Sequence, residues 1–127
     1  MRFLSEHPIL VIEDDEDIRE SLVEILESDG FLVKSVGDGP TALELLQGGL
    51  LPCWILLDIA MPGMSGFECL DKIRENPEWT KIPVTLLSAA ADVKFQAETK
   101  NVDYLKKPVE IDDLFAKAEK HGCRRTL

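Results

Sequence analysis

Apolar runs recur along the chain at Pro8 to Ile12, Phe31 to Val36, Cys53 to Leu57, Pro83 to Leu87 and Val102 to Leu105, and a helix-like segment follows each one. That alternation predicts a βα unit repeated through the chain. The run Trp54-Ile55-Leu56-Leu57 contains no polar residue and reads as a strand buried on both faces. In the first helix Ile18, Leu22, Ile25 and Leu26 follow the i, i+4, i+7, i+8 spacing, and Gly30 stops it. Asp38-Gly39-Pro40-Thr41 opens the second helix with a capping residue and an early proline, and Gly48-Gly49 closes it. Ser65-Gly66 opens the third, which turns Phe67, Leu70 and Ile73 inward and ends at Asn76-Pro77. Between Ala89 and Lys100 the period is weak, because Val93, Phe95 and Ala97 make no single stripe. The last helix holds Ile111, Leu114, Phe115 and Ala118 at i, i+3, i+4, i+7, which predicts a core stripe. Connections this short allow only right-handed crossovers, so the expected product is an α/β fold, a parallel sheet with helices on both faces. Ligands of such sheets sit beyond the carboxyl ends of the strands.

Composition narrows the picture. A chain of 127 residues, 45% hydrophobic, is enough for one domain over 1–127, with its core at about 8–121 and 122–127 as a frayed tail. The formal net charge of -10 argues against nucleic acid or an anionic membrane as partner and favours a cation or a basic protein surface. Cys53, Cys69 and Cys123 are odd in number and widely spaced, which reads as reduced thiols rather than a zinc or disulfide site. The apolar residues after Arg2 are broken by Ser5, Glu6, His7 and Pro8, so no signal peptide is expected, and no segment is long enough to span a bilayer. A cytoplasmic protein is expected.

The candidate chemistry lies at the strand ends. The first strand runs into Glu13-Asp14-Asp15, the third into Asp58, the fourth into Ser88, and the fifth precedes Lys107-Pro108. Each alone has an ordinary explanation: the acidic triplet as a helix cap, Asp58 as a turn residue, Ser88 as an N-cap, Lys107 as a solvated lysine, Tyr104 as packing. Together they gather carboxylates that repel one another unless a cation sits among them, and magnesium suits oxygen ligands of this kind. Asp58 is then a candidate nucleophile for a phosphoryl group, with Lys107 and Ser88 placed to contact the phosphoryl oxygens.

ILVIEDD, ILLDIAMPGMSGFE, PVTLLSAAA and DYLKKPV, in that order, resemble the motifs of the response-regulator receiver domain of two-component signalling, from about Ile9 to about Lys120. The resemblance implies a CheY-like, flavodoxin-like (βα)5 fold with strand order 2-1-3-4-5. It implies that Asp58 accepts a phosphoryl group from a phosphohistidine on a histidine kinase or histidine phosphotransfer protein, with magnesium as cofactor. By motif, Glu13, Asp14, Asp58 and the backbone carbonyl of Ala60 match the metal ligands, Lys107 the lysine of the family, and Ser88 and Tyr104 the switch pair. Asp15 is left to start or cap the helix. The Lys107-Pro108 bond is often cis in the family. The short spacing from Ser88 to Lys107 implies a short or irregular fourth helix, and Val109 stands where Phe is frequent. Small Ala60 leaves room for water, which implies slow self-dephosphorylation; beyond self-catalysed transfer no enzyme activity is implied. The resemblance implies an output through a change in the face formed by the fourth helix, fifth strand and fifth helix, read by a downstream effector protein, with a homodimer through that face as an assembly the family uses. Two other readings compete. A haloacid-dehalogenase-type phosphatase needs a second acid two residues after the nucleophile, where Ala60 stands, and a pseudo-receiver would not need the intact set of Glu13, Asp14, Asp58, Ser88 and Lys107.

Overall fold

The computed structural model describes residues 7–89 and 93–126. Along the chain it forms β1 (Ile9–Ile12), α1 (Glu16–Ser28), β2 (Val33–Val36), α2 (Gly39–Gln47), β3 (Trp54–Asp58), α3 (Gly66–Glu75), β4 (Val84–Ser88), α4 (Val93–Thr99), β5 (Asp103–Lys106) and α5 (Ile111–Lys120). The strands make one parallel sheet in the order β2-β1-β3-β4-β5. This is the CheY-like doubly wound arrangement expected from the sequence.

In β1, β3 and β4 the residues alternate between two cores, although these runs show no polar alternation. Leu10, Ile12, Ile55, Leu57, Val84 and Leu86 face α2, α3 and α4, packing with Ala42, Leu46, Leu70, Ile73 and Ala97. Ile9, Val11, Trp54, Leu56 and Leu87 face the other way, onto Leu22 and Leu26 of α1 and Leu114 and Ala118 of α5. Because helices cover both faces, both sets of side chains must be apolar, which is why the runs look continuous. The strands end on residues that still pair across the sheet, Asp58 with Leu87 and Ser88 with Lys106. Asp58 and Ser88 are therefore held by strand backbone, one residue further along than the apolar runs alone predicted.

Local chemistry sets the helix ends. Asp15 caps α1, its Oδ1 accepting from the Ile18 amide at 3.0 Å, and Asp38 caps α2 by accepting from Thr41 at 2.7 Å. At α3 Ser65 and Glu68 form a reciprocal capping box.

Two expectations are corrected. Ile111 is 49% exposed, since it occupies the first position of α5, beyond the reach of the sheet. The segment read as a frayed tail is tied down through residue 126: Arg125 bridges to Phe31, its guanidinium donates to Asp29 at 2.7 Å, and Cys123 is buried. Residues 1–6, 127 and 90–92, the last belonging to the helix expected over Ala89 to Lys100, lie outside the described residues. Among the described residues no helix is long and apolar enough to cross a membrane.

A polar chain joins β3, β4, β5 and α5. Trp54 Nε1 donates to Thr85 Oγ1 at 2.9 Å, Thr85 donates to Asp103 Oδ2 at 3.0 Å, and Lys117 Nζ approaches both Asp103 oxygens at 2.8 and 2.9 Å. Burial pushes the Asp103 carboxyl up, but the bonds from Lys117 and Thr85 outweigh it and leave the pKa below the ordinary 3.8. The folded chain thus binds this proton less tightly than the unfolded chain. Its stabilisation is complete above 3.8 and is lost as pH falls through the depressed folded value. Replacing Asp103 by Asn should cost about 1–2 kcal/mol near neutral pH, for a charge-assisted pair that solvent partly screens. Urea melts of both proteins should show that gap closing on the acid side of 3.8.

Candidate functional site

Parallel strands all deliver their carboxyl ends to one edge of the sheet, so the residues just past β1, β3, β4 and β5 meet there. Glu13 continues β1, its amide held by the Val36 carbonyl at 3.1 Å and its own carbonyl by Arg19 Nη1 at 2.9 Å. Its side chain is fully buried. Asp58 ends β3, nearly as buried, and Ser88 ends β4 beside it, 2% exposed. Asp14 is exposed above them. One oxygen each from Glu13, Asp14 and Asp58 lies within 4.8 Å of the others. Asp15 is turned away into the α1 cap.

Lys107 closes the far side. Its amide donates to the Ser88 carbonyl at 2.9 Å, which fixes the loop after β5, and its Nζ stands 2.7 Å from Glu13 Oε1 and 3.3 Å from Asp58 Oδ1. The Lys107-Pro108 bond is cis, as the resemblance implied. Burial disfavours the ammonium, but Glu13 and Asp58 more than compensate and raise its pKa above the ordinary value. Burial, followed by contact with the Asp58 carboxylate, pushes the Glu13 carboxyl up to about 7 against the pull of Lys107. Three carboxylates facing one lysine leave an excess of negative charge.

That donor set fits a hard divalent cation, since every side-chain ligand is a carboxylate oxygen and one wall is open to solvent at Asp14. A bound magnesium should stabilise the fold by about 2.7 kcal/mol at a hundred times its Kd. Asp14→Asn should leave the metal-free melting temperature nearly unchanged and abolish most of the magnesium-dependent rise, as thermal melts with magnesium and with EDTA would read.

Of the remaining candidates, Ala60 is exposed just beyond Asp58 and its amide donates to Asp58 Oδ1 at 3.3 Å. Tyr104 lies on β5 opposite Leu86, half-buried against the core shared by α3 and α4. Sequence reasoning missed two positioning residues. Arg19 anchors the Glu13 carbonyl, and Gly66 lets the start of α3 approach the Asp58 backbone more closely than any side chain would permit. The dipeptide Ser65-Gly66 signals a helix start, but nothing local signals the close approach.

Comparison with known proteins gives the same picture. A family model described as Response regulator receiver domain matches residues 9–119. An uncharacterized 14.6 kDa protein of Leptolyngbya boryana is 38% identical over 113 residues, 87% of this chain and 86% of its own. The transcriptional regulatory protein TcrA of Mycobacterium tuberculosis is 35% identical over 112 residues, but this chain spans 86% of itself and only 43% of TcrA. The response regulator TrrA of Thermotoga maritima, solved in complex with Mg2+-BeF, superposes with a TM-score of 0.80 at 30% identity, over 91% of this chain and 98% of its own. With the family match running from β1 almost to the end of α5, this chain belongs to the response-regulator receiver domain family.

Proposed function

We propose that the protein is a phosphoacceptor switch in which Asp58 takes a phosphoryl group from a phosphohistidine of a histidine kinase or histidine phosphotransfer protein. The observation that carries this reading is the placement of the buried Asp58 carboxylate, 3.3 Å from Lys107 and grouped with Glu13 and Asp14. An Asp58 oxygen attacks phosphorus while the bond from phosphorus to the imidazole nitrogen breaks and its electron pair leaves with the imidazole. Glu13, Asp14 and Asp58, with the Ala60 carbonyl, would hold magnesium, which when bound would screen the approach of an anionic phosphoryl group to an anionic site. Lys107 supplies a fixed positive charge to the phosphoryl oxygens, and Ser88 a hydroxyl.

Added phosphate charge becomes a signal only through groups that contact it differently in two conformations. Ser88 closes on the phosphoryl group, Tyr104 turns into the space vacated, and the face made by α4, β5 and α5 changes its affinity for an effector protein. Relatives such as TcrA carry further length that this chain does not match, and their activity as transcriptional regulators is theirs.

Intact mass after incubation with magnesium and acetyl phosphate tests the reading. One added phosphoryl group, lost when EDTA replaces magnesium, is the expected result. No gain in a folded protein that binds magnesium, with acetyl phosphate and with a phosphorylated histidine donor alike, would favour the pseudo-receiver. Ser88→Ala should still take up the group yet lose most of the phosphorylation-dependent change in the Tyr104 environment, read by tyrosine fluorescence or NMR; a full change in that variant would refute the switch.

A further inference from the structure

Arg19 stands at the end of the first turn of α1, half-buried, and reaches back to the loop after β1 with both its backbone and its side chain. Its amide donates to the Asp15 carbonyl at 2.9 Å, and its Nη1 donates to the Glu13 carbonyl at 2.9 Å. Glu13 lies two places before the N-cap Asp15, so the helix ladder does not reach that carbonyl and a side chain supplies the donor. The turn after β2 leaves room for it. A Cβ on Gly37 would lie 3.1 Å from the same Nη1 and 3.8 Å from the Cζ of Arg19, so the guanidinium fills a slot between the start of α1 and Gly37.

The oxygen held by Arg19 belongs to the peptide that joins Glu13 to Asp14. Because a peptide unit is planar, fixing its oxygen fixes the direction in which the chain enters Asp14. Glu13 has further restraints: its amide donates to the Val36 carbonyl at 3.1 Å, its Oε2 accepts from the Asp15 amide at 3.3 Å, and its Oε1 lies 2.7 Å from Lys107 Nζ. Asp14 is exposed, and its backbone sets where its carboxylate points.

We infer that Arg19 is a positioning residue of the acidic cluster: by holding the Glu13–Asp14 peptide it aims Asp14 at Glu13 and Asp58, and so sets the affinity of the site for a divalent cation. That role rests on the metal-binding part of the proposed function and goes beyond it in naming what controls affinity. Charge and geometry predict opposite signs. A guanidinium stays protonated, and a fixed positive charge beside a cation site opposes binding. Acting through its field alone, Arg19 would weaken the hold on magnesium, and its removal would tighten it. Acting through the peptide, its removal loosens the hold even though that repulsion is relieved. Hydrogen-bonding partners that orient metal ligands are typically worth about 10–100-fold in affinity.

Calorimetric titration of the full chain with magnesium chloride at constant ionic strength tests the assignment, with circular dichroism and melts in EDTA establishing that each variant is folded. Arg19→Met removes the donor and the charge, and its dissociation constant should rise about tenfold. Arg19→Lys keeps the charge and a donor on the same turn of α1, and should bind more tightly than Arg19→Met. Should Arg19→Met fail to fold, Arg19→Lys decides the matter against wild type, with weaker binding expected and unchanged binding overturning the proposal. Wild-type or tighter binding in a folded Arg19→Met, or an Arg19→Lys no tighter than Arg19→Met, would overturn the proposal and leave the metal reading standing. A wild-type protein that binds no magnesium would instead overturn the metal reading, and the role of Arg19 with it.

Discussion

Asp58→Asn should abolish magnesium-dependent phosphoryl uptake, with intact mass unchanged under conditions in which the wild-type protein gains one group. An amide oxygen is a far weaker nucleophile than a carboxylate, and the substitution also removes one of the three oxygens' charges from the candidate metal cluster. It removes little of the structure. Lys107 keeps its partner Glu13 at 2.7 Å, and the backbone of residue 58 stays paired with Leu87. Burial first, and contact with the Asp58 carboxylate second, raise the Glu13 pKa to about 7, so relief of that contact should lower it part of the way toward the ordinary carboxylate range. Metal-free Asp58→Asn is therefore expected to be at least as stable as wild type in urea melts. Loss of uptake in a folded, undiminished protein isolates the chemistry from the fold. Retained uptake would move the acceptor to another acid, Asp14 being the nearest exposed one.

The site was legible because topology does the gathering. Once the apolar runs are read as parallel strands, Glu13, Asp14, Asp58, Ser88 and Lys107 need only follow their strands to arrive at one edge. Choosing Asp15 as the helix cap was also within reach, because an acid three residues before the first buried turn is a local signal, and its bond to Ile18 is local. Contacts that depend on distant segments were not legible. Arg125 reaches Asp29 across 96 positions and lies over the Phe31 ring at 4.6 Å, so a basic stretch near the chain end was read as frayed. Spacing put Ile111 on the inner stripe of α5, but periodicity gives the angle around a helix and not how far the sheet extends beneath it. Trp54, Thr85, Asp103 and Lys117 are ordinary residues one by one. Their hydrogen-bonded chain exists only in the register of β3, β4 and β5.

Gly66→Ala tests how tightly the fold and the site are coupled. A Cβ on Gly66 would overlap the Asp58 carbonyl oxygen and lie 2.5 Å from the Ile59 Cα and 2.9 Å from the Asp58 carbonyl carbon. All of these are backbone atoms, so no side chain can rotate aside. The Gly66 amide also donates to the Ile59 carbonyl at 3.1 Å, which holds the start of α3 against the loop after β3. Relief must come from moving α3 or moving residues 58 and 59. The expected cost is at the upper end of the about 1–3 kcal/mol typical of overpacking, only partly offset by the better helix propensity of Ala. Displacement of Asp58 relative to Lys107 should also slow phosphoryl uptake by roughly tenfold or more. Gly49→Ala is the matched comparison: φ is +105°, so the substitution is strained, but open space surrounds the position and it is remote from Asp58. It should lose about 1–2 kcal/mol and keep wild-type uptake. If the two variants lost stability equally and both phosphorylated normally, the close approach at Gly66 would have no part in positioning the acceptor.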